Sequence, residues 1–386
     1  MKTGVWGGGA PPQPFSLAGE NRPLTSIRGI ASLWVFTAHV ASVFYPVMPH
    51  RLAIGLVCGW LGVDLFFVLS GFILASVYAA LLPARWGRFW VKRAFRVFPL
   101  NTAVLGFCAL CALVGIRTGA QVIWPDLPWH LLMLQSFVPG RRPGWIFVNW
   151  SVGIELICYA CFPLLVLGLQ RVRRVGAVVA LLAAAALTYH LQLRVLGAFF
   201  GFDAVLRCGS EFLLGATAGT LALRMPRLPP GAAGLLEAAA LGALAIGTTG
   251  GLGAEWCAAL GSRRMATVPL AAAALIYALA SDSGPVARVL RAWPLFWLGQ
   301  VSFSLYMIHW PLMTRTAVLA WLWSGGPPGL KVIGVWGGGV LAAGLALSAV
   351  TYRFVEVPGR RLGAAFSFAS SGQGLPRVKG PESPDR

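Results

Sequence analysis

The chain has 386 residues, of which 57% are hydrophobic and 11% are charged, and its mean hydropathy is +0.73. This composition excludes an ordinary soluble enzyme, because a soluble core of this length needs far less apolar sequence. The formal net charge is +19. Its basic residues are dispersed between apolar stretches and form no single face, which argues against nucleic-acid binding. The predicted fold class is all-α, a polytopic integral membrane helical bundle.

Ten apolar stretches are long enough to cross about 30 Å of hydrocarbon as helices. Between them they define a membrane domain of residues 24–361, flanked by a disordered N-terminus (1–23) and a disordered basic tail (362–386). The predicted spans are Ile27–Tyr45, Ile54–Leu82, Val97–Ile116, Ile146–Leu169, Val175–Leu193, Asp203–Leu223, Ala232–Gly250, Ala266–Ala280, Leu295–Trp321 and Val332–Phe354.

The distribution of Lys and Arg predicts the orientation of these spans. With the N-terminus inside, the cytoplasmic segments hold twenty basic residues and the outer segments hold eight. Positive charge is retained on the cytoplasmic side of helical membrane proteins. We therefore expect a multi-pass protein of the inner (plasma) membrane with both termini in the cytoplasm.

The first predicted span carries Arg28 and His39, with ten residues between them. At 100° and 1.5 Å per residue they share one helix face and lie about 16 Å apart along the axis. With Arg28 at the water interface, His39 lies near the bilayer midplane. An ionisable group is costly there, so it indicates a functional site.

Asp64 lies about ten residues into the second span and therefore at the depth of His39. On adjacent antiparallel helices the two side chains could form a carboxylate–imidazole dyad, in which Asp64 orients the base. The alternative is a structural buried ion pair or a hydrogen-bonded carboxylate.

Further polar residues lie within the fourth and sixth spans. Glu155 could shape a substrate cavity or join helices through hydrogen bonds, and Trp150 could line that cavity or anchor the span at the interface. Arg207 and Glu211 are four residues apart on one face, which favours a structural pair.

Two more patterns concern possible ligands. Ser302, Tyr306 and His309 share one face of the ninth span and indicate a hydrated cavity, with a lone hydrogen-bonded histidine as the alternative. Arg93 and Arg96, three residues apart in Arg85–Pro99, could hold phosphates. The same segment also has the pattern of an interfacial amphipathic helix with snorkelling cations.

Seven cysteines include two CxxC pairs, Cys108/Cys111 and Cys158/Cys161. Both pairs lie inside apolar spans, where cysteine commonly packs as a small residue. A buried four-sulfur metal site is the alternative, and we expect no metal.

Together these motifs resemble acyltransferase family 3, the integral membrane O-acyltransferases. Across Leu24 to Arg361 the ordered elements are Arg28 with His39, GVDLFFVLSGF around Asp64, Arg93 with Arg96, WSVGIELICYACFP, SFSLYMIHWPL and YRFVEVPGRR with Glu356 and Pro358.

The resemblance implies transfer of an acyl group, most often acetyl, from cytoplasmic acyl-CoA to a hydroxyl of a glycan or similar acceptor. It implies His39 as the essential histidine and donor binding at Arg93 and Arg96, near which we also place Arg28. Some relatives complete the transfer in an added extracytoplasmic domain. Only a Gly/Ser/Pro tail follows Arg361, so we expect the reaction within the membrane domain or with a separate envelope-biosynthesis partner protein.

Two other functions are compatible with buried His, Asp and Glu. A proton-coupled transporter would use them as a proton relay and would move its substrate without consuming acyl-CoA. A scaffold subunit of an envelope-polymer complex would not use them chemically.

Overall fold

The computed structural model describes residues 20–115, 123–138, 144–195, 198, 200–249, 263 and 265–369. These residues form helices and turns and contain no β-strand. The helices in this part of the chain are α1 Arg22–Val43, α2 His50–Val57, α3 Gly62–Val77, α4 Trp86–Leu113, α5 Leu127–Leu131, α6 Asn149–Gln170, α7 Arg174–Val195, α8 Gly201–Arg224, α9 Pro230–Thr249, α10 Val268–Ala280, α11 Pro285–Leu290, α12 Trp293–Ser324, α13 Leu330–Thr351 and α14 Val357–Ala369.

The helices are those of a membrane bundle, as predicted, and each of the ten predicted spans coincides with a helix. Helices α1, α8 and α12 have 22, 24 and 32 residues and carry many of the buried polar side chains. Helix α10 is apolar but has only 13 residues. Six other described segments are long and apolar enough to cross a membrane: His50–Val77, Pro83–Leu113, Asn149–Gln170, Arg174–Val195, Pro230–Thr248 and Leu330–Ser367.

The helical region extends beyond the predicted domain boundaries at both ends. Helix α1 begins at Arg22, where the side chain of Asn21 caps the first turn. Helix α14 continues to Ala369, so the prediction of disorder is wrong for residues 362–369. The helix is held there because the ring of Phe366 stacks on Phe95 of α4, with centroids 5.5 Å apart. The other tail residues, 1–19 and 370–386, lie outside the described part of the chain.

Helices α1 and α12 touch through their backbones. A β-carbon on Gly299 would lie 1.9 Å from the carbonyl oxygen of Thr25, and one on Gly29 would lie 2.7 Å from the backbone nitrogen of Gly299. Glycine is therefore required at this crossing. Ten residues further along each helix, His39 contacts His309. The two helices consequently run parallel and in matching register.

Helices α3 and α8 form a second close pair. A β-carbon on Gly215 would lie 1.9 Å from the carbonyl oxygen of Val68, and one on Gly219 would lie 2.5 Å from that of Phe72. Both residue numbers increase together, so this pair is also parallel. The largest apolar cluster of buried side chains draws on α3, α4, α6 and α8 and borders the site described next.

Candidate active site

A cavity of about 280 Å³ lies between α1, α3, α4, α6 and α12. Aliphatic and aromatic side chains form most of its wall. Six of the ten predicted site residues line it. Spacing relates residues within one helix, so it could not establish that residues of different helices meet in one cavity. The polar lining residues are Arg28, Ser70, Tyr78, Arg93, Arg96, Ser151, Glu155, Tyr159, Ser302 and Tyr306.

Three guanidinium groups make the cavity cationic. Arg93 donates a hydrogen bond to the hydroxyl of Tyr78 (3.2 Å) and lies 5.6 to 5.8 Å from the ring centroids of Tyr78, Phe89 and Tyr159. Contacts of this kind orient a guanidinium without neutralising it. Arg28 and Arg96 line the same space from α1 and α4.

Two carboxylates stand near these cations. Glu155 accepts hydrogen bonds from Ser70 (2.8 Å) and from the hydroxyl of Tyr159. Glu356 is buried and accepts one from Ser304 (3.1 Å). The charges of both carboxylates act on Arg28 and Arg96. Three cations against two carboxylates leave an excess of positive charge, which suits an anionic ligand.

One wall of the cavity adjoins a pair of histidines. Tyr306 lines the cavity, and its ring centroid lies 5.8 Å from that of His309. Its hydroxyl lies 2.7 Å from Ser151 Oγ and 3.1 Å from the carbonyl oxygen of Val148. The hydroxyl is thereby held between α6 and α12, and the Tyr306 ring contacts both the cavity and His309.

His39 and His309 form a hydrogen-bonded pair. The Nδ1 atom of His39 lies 3.0 Å from Nε2 of His309, and Nδ1 of His309 lies 3.0 Å from the carbonyl oxygen of Leu305. His309 is buried, whereas His39 is half-buried. The rings of Phe147 and Trp310 lie 6.2 and 5.0 Å from His39. The imidazole of His39, which the sequence places near the bilayer midplane, thus packs against the side chains of His309, Phe147 and Trp310.

The predicted dyad of His39 and Asp64 is not formed. The Oδ1 atom of Asp64 lies 3.1 Å from Nη2 of Arg207, and both side chains are fully buried. Arg207 also lies 3.6 Å from Glu211, which accepts a hydrogen bond from Gln192. Helix α3 packs on α8 through its glycine contacts, and this packing brings Asp64 to Arg207. The predicted Arg207–Glu211 contact is confirmed.

Trp150 and His309, both predicted as cavity residues, do not line the cavity. Trp150 instead faces the Arg207 guanidinium, which lies 5.6 Å from its ring centroid. His309 lies behind Tyr306 and contacts His39. Each of them therefore lies next to residues of the site without lining the cavity.

The cysteine pairs do not converge. Cys108, Cys111, Cys158 and Cys161 are free thiols. The described residues include no group of three or more His, Cys, Asp or Glu side chains that could hold a metal ion.

Five polar residues of the site were not predicted: Ser70, Tyr78, Ser151, Tyr159 and Glu356. Tyr159 follows Glu155 by four residues, a helical spacing that could have identified it. Ser70 and Glu356 lie inside motifs that carry the family resemblance, but no local pattern distinguished them as site residues.

The family model for an acyltransferase domain matches residues 23–353. The chain belongs to this acyltransferase family. The putative membrane-bound transacylase BcsY of Komagataeibacter xylinus is 27% identical over 324 residues, 78% of this chain and 76% of that protein. The exopolysaccharide production protein ExoZ of Rhizobium meliloti is 30% identical over 278 residues, 67% of this chain and 77% of that protein.

The acyltransferase MdmB of Streptomyces mycarofaciens is 29% identical over 149 residues, which cover 36% of this chain and 38% of that protein. No solved structure matches the chain. Membership of the acyltransferase family confirms the resemblance inferred from the sequence motifs and the prediction of a membrane acyltransferase.

Proposed function

We propose that this acyltransferase of the inner (plasma) membrane moves an acyl group from cytoplasmic acyl-CoA to a hydroxyl of a cell-surface glycan or related acceptor. The acyl group that we propose is acetyl. One observation carries the proposal: a cationic cavity adjoins a histidine pair, and α1 contributes Arg28 to the first and His39 to the second. The similarity to ExoZ, named as an exopolysaccharide production protein, supports an acceptor of this class.

The donor would bind in the cavity. Coenzyme A carries phosphate groups, and guanidinium groups bind phosphates through paired, charge-assisted hydrogen bonds. Arg93 and Arg96 supply these guanidinium groups, with Arg28 beside them. The apolar part of the wall suits the pantetheine arm, which would direct the thioester toward Tyr306 and the histidine pair.

The chemistry assigned to His39 is general base catalysis. The imidazole takes the proton from the acceptor hydroxyl while the hydroxyl oxygen attacks the thioester carbonyl. The carbon–sulfur bond breaks, and the thiolate of coenzyme A receives a proton. An acyl-imidazole on His39 is the alternative route if donor and acceptor enter from opposite faces.

The test uses the purified protein in lipid nanodiscs with acetyl-CoA labelled in the acetyl group and a panel of envelope glycans. Wild-type protein should label a glycan and release coenzyme A. His39→Ala should lower the turnover by at least about 100-fold, the usual contribution of a general base.

The matched control is His190→Ala, which removes an exposed histidine from α7 and should leave turnover unchanged. Wild-type turnover in His39→Ala would contradict the assignment of the base. Movement of a substrate without consumption of acetyl-CoA would instead favour a transporter.

A further inference from the structure

We propose that His309 is the positioning residue for His39, fixing the tautomer in which Nε2 of His39 can accept the substrate proton. This inference rests on the proposed function, since it concerns the base of that reaction. It assigns to a second histidine the task that the sequence had assigned to Asp64.

The first step concerns the hydrogen on His309. Its Nδ1 lies 3.0 Å from the carbonyl oxygen of Leu305. A carbonyl oxygen can only accept, so Nδ1 must carry the hydrogen and donate it. A neutral imidazole has one such hydrogen. The Nε2 atom of His309 therefore presents a lone pair.

The second step follows at the contact between the rings. The Nε2 lone pair of His309 faces Nδ1 of His39 at 3.0 Å. A hydrogen bond at this distance requires that His39 carry its hydrogen on Nδ1 and donate it. The Nε2 atom of His39 is then left unprotonated. It is the nitrogen that can accept a proton from an acceptor hydroxyl.

The third step concerns the charged form. When His39 accepts a proton on Nε2, its Nδ1–H bond to His309 becomes charge-assisted and therefore stronger. Because the bond strengthens as the imidazolium forms, the pair favours proton transfer in the transition state. Asp64 is paired with Arg207 and is not a partner of His39, whose imidazole hydrogen-bonds in addition to the backbone of Val35, one helical turn earlier.

The helix packing supports this arrangement. His309 is 1% exposed, and its ring lies between Phe36 and Tyr306, at centroid distances of 6.2 and 5.8 Å. The glycine crossing of α1 and α12 fixes the register ten residues away. His309 thus has a restricted ring orientation, which an orienting residue needs.

The experiment compares His309→Gln with His309→Asn. A glutamine amide oxygen can occupy the position of Nε2 and accept from His39, whereas an asparagine amide reaches only the position of Nδ1. We expect His309→Asn to lower kcat about 30- to 1,000-fold, within the range for a misplaced general base. We expect His309→Gln to recover at least about tenfold of that loss. The KM for acetyl-CoA should stay within about twofold of wild type in both, because the cationic cavity is intact.

Binding of acetyl-CoA by both variants, measured directly, establishes that they are folded. Equal kcat in the Asn and Gln variants, wild-type kcat in His309→Asn, or a change confined to KM would overturn the positioning role. In those cases the loss of activity in His39→Ala would still uphold the proposed function. A wild-type protein without acetyl transfer would contradict both.

Discussion

Two arginines inside the bundle, the fully buried Arg207 and the half-buried Arg93, are used differently at the level of single residues. Arg207 is neutralised, because Asp64 and Glu211 both contact it. Arg93 has no ion pair with a described carboxylate and is held by aromatic faces and by the Tyr78 hydroxyl. A buried charge is costly unless it is paired. The charge of Arg93 is therefore available for an anionic ligand, and this difference supports our proposal that the donor binds at this end of the cavity.

We expect Arg93→Gln to raise the KM for acetyl-CoA tenfold or more, because a charge-assisted bond to phosphate contributes roughly 1.5–3 kcal/mol. Transfer from the acetyl thioester of N-acetylcysteamine, which has no phosphate, should be unaffected. Steady-state kinetics with both donors measure this difference. Arg85→Gln removes an exposed cation just before α4 and is the matched control. Equal losses with the two donors would contradict a phosphate contact.

The sequence predicts contacts within one helix better than contacts between helices. Spacing alone predicted the Arg207–Glu211 pair and placed Arg93 beside Arg96, because helical geometry relates residues three and four apart. It could not choose the partner of His39, because spacing within one helix does not show which helices touch. That choice depends on which helices touch, and Gly299, 270 positions after Gly29, decides it.

At the level of helices, the α1–α12 crossing determines the separation of the two imidazoles. The backbones meet at Gly29 and Gly299, and the hydrogen bond between His39 and His309 lies three turns beyond. A small increase in the helix separation would therefore break a 3.0 Å contact. The geometry proposed for catalysis would therefore depend on two glycines that do not line the cavity.

We expect Gly299→Ala to lower stability by roughly 1–3 kcal/mol, because its β-carbon would overlap backbone that cannot move aside. In the folded fraction, kcat should fall at least tenfold through displacement of His309. Thermal unfolding in detergent and kcat measure the two effects. Gly338→Ala on α13, where a β-carbon meets no atom within 4 Å, should change neither. Similar behaviour of the two variants would contradict the role of the crossing.

For the whole molecule, the helix directions test the ten-span layout. Two spans run parallel only when they are an even number of crossings apart. Helices α1 and α12 correspond to the first and ninth predicted spans, and α3 and α8 to the second and sixth; both pairs are parallel. With α9 as a crossing, the parity is satisfied when α10 also crosses, although its 13 residues span only about 20 Å. A short span of this kind can be accommodated by local thinning of the bilayer.

Labelling of single cysteines with a membrane-impermeant maleimide tests this layout. Three exposed sites mark the ends of the parallel helices: Glu20→Cys before α1, Ala292→Cys before α12 and Ser324→Cys at the end of α12. The background carries Cys161→Ala, since Cys161 is exposed, and Cys257→Ala, since Cys257 lies in the outer segment predicted between the seventh and eighth spans. In spheroplasts we expect labelling at Ser324→Cys alone, because the basic residues retain the other two sites in the cytoplasm. Permeabilisation should expose all three. Labelling of Glu20→Cys and Ala292→Cys from opposite sides would contradict the even number of crossings. Labelling of both from outside would show that the orientation is the reverse of the predicted one. The Arg28 end of α1 would then face away from cytoplasmic acyl-CoA.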